Sequence, residues 1–190
     1  MKKKSPYKIV LSSPVILSFT FISALVLLLD HITGGVTNTL LFSVYRSSLK
    51  SFLTYPRFFL HVLGHASFSH LTGNLMLFLV VGPVLEEKYG SRDILLVIVV
   101  TALVTGILHF ILFPGVMLLG ASGVVFAFIL LASAIGFREK EIPLTFILVA
   151  VLYIGQQIYE GLFVSDNVSQ LTHIAGGIIG AAFGYAWRKK

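Results

Sequence analysis

Long stretches without a charged residue constrain this chain more than any other feature of its 190 residues. Five such stretches cover residues 9–29, 58–85, 94–137, 142–159 and 167–187. A helix needs about 20 consecutive apolar residues to cross a bilayer core. Charged residues make up only 12% of the chain, against about 25% in an ordinary soluble domain. The pattern therefore predicts an all-α membrane protein.

The stretch 94–137 is too long for a single span. Phe113-Pro114-Gly115 interrupts it, because proline lacks an N–H donor and glycine lacks conformational restraint. We therefore expect six spans in one membrane domain that covers residues 1–190. Their approximate limits are 9–29, 69–86, 93–111, 121–137, 142–160 and 169–187.

The Lys and Arg residues are distributed unevenly between the two ends of these spans. Eleven fall on one side: Lys2, Lys3, Lys4, Lys8, Lys88, Arg92, Arg138, Lys140, Arg188, Lys189 and Lys190. Only Arg46, Lys50 and Arg57 fall on the other side. Because cytoplasmic loops carry the excess of basic residues, we expect both termini in the cytoplasm, at a bacterial or archaeal plasma membrane. Nucleic acid is not an expected partner, because no basic stripe remains on a soluble face.

The stretch 30–68, which lies outside in this topology, mixes aromatic and basic side chains such as Phe52, Tyr55 and Arg57. This composition suits a segment in the membrane interface, and equally an ordinary loop. The chain has no cysteine, which excludes disulfides and thiolate metal sites.

Polar side chains inside the expected spans concentrate toward one end of the bundle. They are His70, Asn74, His109, Ser122, Gln156, Gln157, Glu160 and His173. Ionisable groups in a membrane are expensive and therefore indicate function. The other halves of the spans are almost purely apolar, whereas a transporter is expected to have polar groups at mid-depth and internal repeats. The distribution favours a cavity that opens on one side.

Ser122 lies in Gly120-Ala121-Ser122-Gly123, at the expected start of the fourth span. Glycine on both sides lets backbone and substrate approach closely, and a helix N-terminus favours an anion. An acyl-transfer enzyme needs this environment, because an oxyanion forms beside its nucleophile. A lone Gly-x-Ser-Gly is nevertheless common, and a serine in a membrane helix more often bonds to the preceding turn.

His173 is followed by Gly176, Gly180 and Gly184, which share roughly one helix face with it. Small residues at every fourth position allow close helix contact in a membrane. If the neighbour is the fourth span, His173 reaches Ser122. The same spacing also serves simple packing.

Two other pairs of polar residues have helical spacing. His70 and Asn74 are four residues apart and share a helix face. His61 and His65 are also four apart, but no carboxylate or cysteine completes a metal-ligand set. We therefore expect no metal site, and we expect His61, His65 and His109 to lie in the membrane interface.

Three motifs, in order along the chain, resemble those of the rhomboid family. They are His61-x3-His65-x4-His70-x3-Asn74 with Gly82, Glu86 and Gly90 after it, then Gly120-Ala121-Ser122-Gly123, then His173-Ile174-Ala175-Gly176-x3-Gly180. The resemblance covers residues 57–184. It implies a six-transmembrane-helix rhomboid bundle. It also implies a serine endopeptidase without a cofactor, which cleaves transmembrane helices of single-span or other membrane proteins near the outer face of the lipid bilayer.

The resemblance also implies roles for individual residues. Ser122 is the nucleophile and His173 its general base, in a dyad without a third carboxylate. Phe126, one turn after Ser122, takes the place of an aromatic residue that stacks on the histidine. Because nothing else is expected to fix the imidazole tautomer, we expect modest turnover.

His70 and Asn74, with the backbone N–H of Ser122, are implied to bind the oxyanion, and Gly120 supports them. Glu86 is implied to be a structural contact. The family often has Trp-Arg in the first external loop, where this chain has Pro56-Arg57.

Other classes of protein fit less well. An intramembrane metalloprotease needs His-Glu-x-x-His, which is absent from the sequence, and the aspartates border the spans instead of lying within them. A rhomboid-like pseudoprotease, which only binds membrane helices, is the main alternative. Such proteins usually lack the serine or the histidine.

Overall fold

The computed structural model describes residues 11–138, 141–163 and 170–189, except the side chains at 160 and 161. This part of the chain is helical. Its helices are α1 (Pro14–Ile32), α2 (Val36–Leu40), α3 (Thr54–Leu60), α4 (Phe68–Tyr89), α5 (Ser91–Leu112), α6 (Ser122–Ser133), α7 (Leu144–Phe163) and α8 (Gln170–Ala186). Short 3₁₀ turns at His61–Leu63 and Ala134–Gly136 continue α3 and α6.

Three helices of the described chain, α1, α4 and α5, have the length and hydropathy of membrane spans. The segments Ser122–Gly136 and Leu144–Tyr159 are apolar but shorter, and α8 has 17 residues. The all-α architecture is confirmed, whereas the count of six spans remains a prediction. The expected limits of the first and last spans include residues 9, 10 and 169, which lie outside the described chain.

The start of α1 is set by a carboxylate from another helix. Glu86 accepts hydrogen bonds from the backbone N–H groups of Val15 and Ile16, both at 3.0 Å, and from the Ser91 hydroxyl at 2.7 Å. A negative charge at a helix N-terminus satisfies free N–H groups and complements the helix dipole. Glu86 therefore joins the beginning of α1 to the junction of α4 and α5.

The other end of α1 runs past a charged residue to Ile32. The Asp30 carboxylate accepts hydrogen bonds from the backbone N–H and the side-chain amide of Asn38, both at 2.7 Å. The same amide also donates to the His65 carbonyl at 3.0 Å. Because these bonds satisfy the carboxylate, α1 extends beyond the expected limit at residue 29.

The core is built around α6, which packs against α4, α5, α7 and α8. A row of stacked rings crosses it: Phe78 lies between Phe19 of α1 and Phe128 of α6, with centroid separations of 4.6 and 5.1 Å. Phe78 and Phe128 are fully buried. Dense packing of this kind resists displacement, so the N-terminus of α6 has a fixed position.

The closest helix contact joins α8 to α6. A Cβ atom on Gly176 would overlap the carbonyl group of Gly123, and one on Gly180 would overlap that of Ala127. The order of these contacts shows that the two helices run parallel. The predicted contact between the glycine face of the last helix and the Ser122 helix is confirmed, and it brings the starts of α6 and α8 together.

This contact predicts opposite effects for two identical substitutions. Gly180→Ala should lower the midpoint of thermal unfolding in detergent, because overpacking costs about 1–3 kcal/mol and a backbone carbonyl cannot swing away. Gly155→Ala in α7, where a Cβ meets no atom within 4 Å, should be neutral or stabilising by up to about 1 kcal/mol. Equal shifts for the two variants would contradict the close α6–α8 contact.

Candidate active site

The starts of α6 and α8 place a serine hydroxyl beside a histidine ring. The Oγ atom of Ser122 lies 2.7 Å from Nε2 of His173. Ser122 is the first residue of α6, and His173 lies in the first turn of α8. His173 is buried and Ser122 is half-buried. The pair therefore sits in a mostly dry environment at the junction of two helices.

The second ring nitrogen of His173 has a partner on a third helix. Its Nδ1 atom lies 2.7 Å from Oε1 of Gln157, which is 2% exposed and belongs to α7. An amide oxygen only accepts hydrogen bonds, so in this arrangement Nδ1 carries the ring proton. Nε2 is then able to accept the Ser122 hydroxyl proton. The expectation that packing alone orients this imidazole is wrong.

Aromatic rings cover one face of the same histidine. The ring of Phe126 lies 4.8 Å from that of His173, centroid to centroid, with a tilt of 46°. Tyr153 of α7 packs in turn on Phe126 at 4.2 Å. Phe126 thus lies where the sequence spacing predicts. The rings limit rotation of the imidazole and exclude water from that side.

Two side chains of α4 converge on the backbone just before Ser122. Gly120 has φ +127°, and a Cβ there would lie 2.8 Å from Nε2 of His70 and 3.7 Å from Nδ2 of Asn74. The Asn74 Nδ2 group is buried and has no hydrogen-bond partner among the described residues. The backbone N–H of Ala66 donates to Nδ1 of His70 at 3.5 Å, which assigns the His70 proton to Nε2. Two N–H donors therefore lie beside this backbone.

The three remaining histidines of the motifs and spans are structural. Each binds a backbone carbonyl: His61 that of Ala102, His65 that of Leu63 and His109 that of Val116, at 3.0, 3.2 and 2.9 Å. Their exposed fractions are 2% or less, and their expected position at the depth of the membrane interface stays a prediction. Burial lowers the pKa of His61 and that of His65 to about 4. Both rings are therefore neutral at pH 7.

The described residues contain no group of three or more His, Cys, Asp or Glu side chains that could hold a metal ion. Glu86 lies far from the serine. It follows His70 by 16 residues in one helix, which corresponds to about 24 Å at 1.5 Å per residue. Its role is the cap on α1, as a structural contact.

The sequence pattern singled out Gln157 as an amide inside a span but assigned it no contact. The signal that could have located it is its spacing of four from Tyr153, which puts both residues on one helix face. They are the two buried side chains among those described in α7. Gln156 is exposed, and the side chain of Glu160 lies outside the described residues.

Comparison with known proteins identifies relatives of the chain. A family model described as the Rhomboid domain matches residues 53–190. Rhomboid-related protein 2 of Mus musculus is 34% identical over 142 residues, and rhomboid-related protein 1 of Caenorhabditis elegans is 33% identical over 138 residues. The rhomboid protease GlpG of Haemophilus influenzae is 27% identical over 132 residues.

Each alignment covers 68% of this chain. The aligned part is 47% of the mouse protein, 39% of the nematode protein and 68% of the Haemophilus protein. The chain therefore spans less than half of the length of each of the two rhomboid-related proteins.

Proposed function

The chain belongs to the rhomboid family, and we propose that it is an intramembrane serine endopeptidase. The observation that carries this proposal is the 2.7 Å contact between Ser122 Oγ and His173 Nε2. A serine hydroxyl becomes a useful nucleophile when an adjacent base takes its proton. The name of the Haemophilus relative, rhomboid protease, supports the same reaction class.

In the proposed reaction, Ser122 Oγ attacks the carbonyl carbon of the scissile peptide bond while Nε2 of His173 takes the hydroxyl proton. The same nitrogen then gives this proton to the leaving amine, and an acyl-enzyme ester remains on Ser122. Water, deprotonated by His173, hydrolyses the ester and restores the hydroxyl. The reaction requires no cofactor, because every proton moves through the one imidazole.

The oxyanion of each tetrahedral intermediate is proposed to bind beside Gly120. The Nε2–H of His70, the Nδ2–H of Asn74 and the backbone N–H of Ser122 are the proposed donors. Preorganised donors in a dry site stabilise developing charge far more than they do in water. The buried amide of Asn74, which has no partner among the described residues, is a donor held ready for this purpose.

The proposed substrate is a transmembrane helix of another membrane protein. The site lies at the ends of apolar helices, so a substrate helix approaches it sideways from the lipid bilayer. Peptide bonds inside a helix are shielded by their hydrogen bonds, and the substrate must therefore unwind before cleavage. Small or helix-breaking residues near its outer end favour that step.

The chain is an integral membrane protein, and its orientation is part of the proposal. In the proposed topology, residues 1–190 form a single domain with six spans. Ser122 then lies near the external face, and both termini lie in the cytoplasm of a bacterium or archaeon. The excess of basic residues at one end of the spans supports this orientation. Water for hydrolysis then enters from outside.

A fluorophosphonate probe tests the nucleophile directly. In detergent, the probe should label the wild type, and Ser122→Ala and His173→Ala should lose both labelling and cleavage of a single-span substrate. Ser133→Ala is the matched control, because this serine lies on the same helix and bonds to the Leu130 carbonyl. Folded wild type that neither labels nor cleaves a panel of such substrates would instead indicate a pseudoprotease that binds membrane helices.

The oxyanion donors should matter less than the nucleophile. Removal of one donor typically lowers kcat by about 10²–10³-fold, so His70→Ala and Asn74→Ala should retain measurable cleavage and nearly unchanged thermal unfolding. The measurement is steady-state cleavage of a single-span substrate in detergent. The assignment fails if either variant is as inactive as Ser122→Ala, or if neither loses activity.

Single cysteines test the orientation, because the chain has none of its own. An impermeant thiol reagent added to intact cells should label Leu49→Cys, between α1 and α4. It should label Glu87→Cys, at the end of α4, only after the cells are permeabilised. Both side chains are exposed. Labelling of Glu87→Cys in intact cells, or protection of Leu49→Cys, would overturn the orientation.

A further inference from the structure

We propose that Gln157 is the positioning residue of this site, because its side-chain oxygen keeps the His173 proton on Nδ1 and leaves Nε2 to act as the base for Ser122. The inference rests on the proposed function and extends it to a third helix. It gives the serine–histidine pair a third member that is an uncharged amide.

The two contacts of the imidazole carry the argument. Both ring nitrogens have an oxygen partner at 2.7 Å, Gln157 Oε1 at Nδ1 and Ser122 Oγ at Nε2. A neutral imidazole has one proton to share between them. With the proton on Nδ1, each contact pairs a donor with an acceptor. With the proton on Nε2, the lone pair of Nδ1 would face that of the amide oxygen, and the hydroxyl would lose its base.

Burial strengthens the preference of His173 for the tautomer with its proton on Nδ1. Gln157 is 2% exposed and His173 is 8% exposed, so water cannot easily replace either partner. Hydrogen bonds are stronger in a low dielectric, and unpaired polar groups are correspondingly costly. The amide therefore excludes the unproductive tautomer more effectively than it could at the protein surface.

The reaction needs no proton transfer to Gln157. The proton from Ser122 moves to Nε2 and then to the leaving amine, while the Nδ1 proton stays on the ring. During the imidazolium stage, the dipole of the amide carbonyl faces the charged ring. A carboxylate would stabilise that charge more, but a buried charge is expensive to maintain inside a membrane protein. Glutamine orients the base without this cost.

The packing of α7 supports the assignment. Tyr153, one turn before Gln157, packs on Phe126, and a Cβ on Gly177 of α8 would lie 2.7 Å from the Tyr153 ring. The two buried side chains described in α7 are therefore both connected to His173. Gln157 contacts its Nδ1 atom, and Tyr153 packs on the Phe126 ring that lies against the imidazole. The inward face of α7 serves the orientation of this imidazole.

Substitutions separate positioning from simple packing. Gln157→Leu keeps much of the volume but removes the acceptor. It should lower kcat by at least about 10-fold with little change in KM, and by less than the ~10⁴-fold lost when a catalytic histidine has the wrong tautomer. Gln157→Glu restores an acceptor oxygen and should cleave faster than Gln157→Leu. Gln156→Leu, the same change at the neighbouring exposed position, should match the wild type.

The pH dependence of kcat/KM provides a second test, because it would not change if Gln157 served only for packing. A carboxylate at position 157 stabilises the imidazolium, so the acidic limb of kcat/KM should shift upward by about 1 pH unit in Gln157→Glu. Two results would overturn the inference while leaving the proposed protease intact. They are an unchanged kcat in Gln157→Leu with active wild type, and a Gln157→Glu variant no faster than Gln157→Leu.

Nitrogen NMR of the imidazole provides a test that does not depend on activity. In detergent micelles above neutral pH, the His173 signals, assigned by their loss in His173→Ala, should show a protonated Nδ1 and an unprotonated Nε2. Gln157→Leu should shift the population toward the Nε2–H tautomer. A proton on Nε2 in the wild type would overturn the role of Gln157. If the tautomers are as expected but the fluorophosphonate probe labels no protein, the result would count against the proposed protease and not against the role of Gln157.

Discussion

The direct backbone contact between α6 and α8 is the constraint on which the site depends. Where Gly176 and Gly180 face α6, a methyl group would overlap a carbonyl of the other helix. Van der Waals packing of this kind holds helices together in a bilayer, where lipid is as apolar as the side chains. Since the two helices run parallel, their N-termini lie together, and Ser122 Oγ meets His173 Nε2 without a loop to position either residue.

The polar groups around this contact are arranged so that the site remains almost free of buried formal charge. Gln157 supplies an amide where many serine hydrolases have a carboxylate, and burial keeps His61 neutral at pH 7. The buried carboxylate of Glu86 lies at the far end of α4, where helix N–H groups and the Ser91 hydroxyl satisfy it. The Glu86 charge therefore organises helix ends away from the serine, and the proposed chemistry relies on dipoles.

Much of the helical plan could be predicted from the sequence, because uncharged stretches and helix breakers are local features. The limits of α1 were less predictable, since they depend on Glu86 at one end and on Asn38 at the other. The carbonyl partners of His61, His65 and His109 could not be predicted either. The sequence does not show whether a histidine faces lipid headgroups or binds a carbonyl from another helix, and helical spacing does not distinguish these two environments.

The sequence by itself determined that the chain is helical and apolar. It also determined the family and identified the residues, among them Ser122, His173, His70 and Asn74, from which a hydrolytic site could be built. These properties follow from charge distribution and from short motifs, which act over a few residues. Only the tertiary structure decided that Gln157 contacts His173, because a side chain on α7 meets one on α8 only after both helices have packed. Such a contact joins residues 16 positions apart on different helices, and helical periodicity cannot specify it.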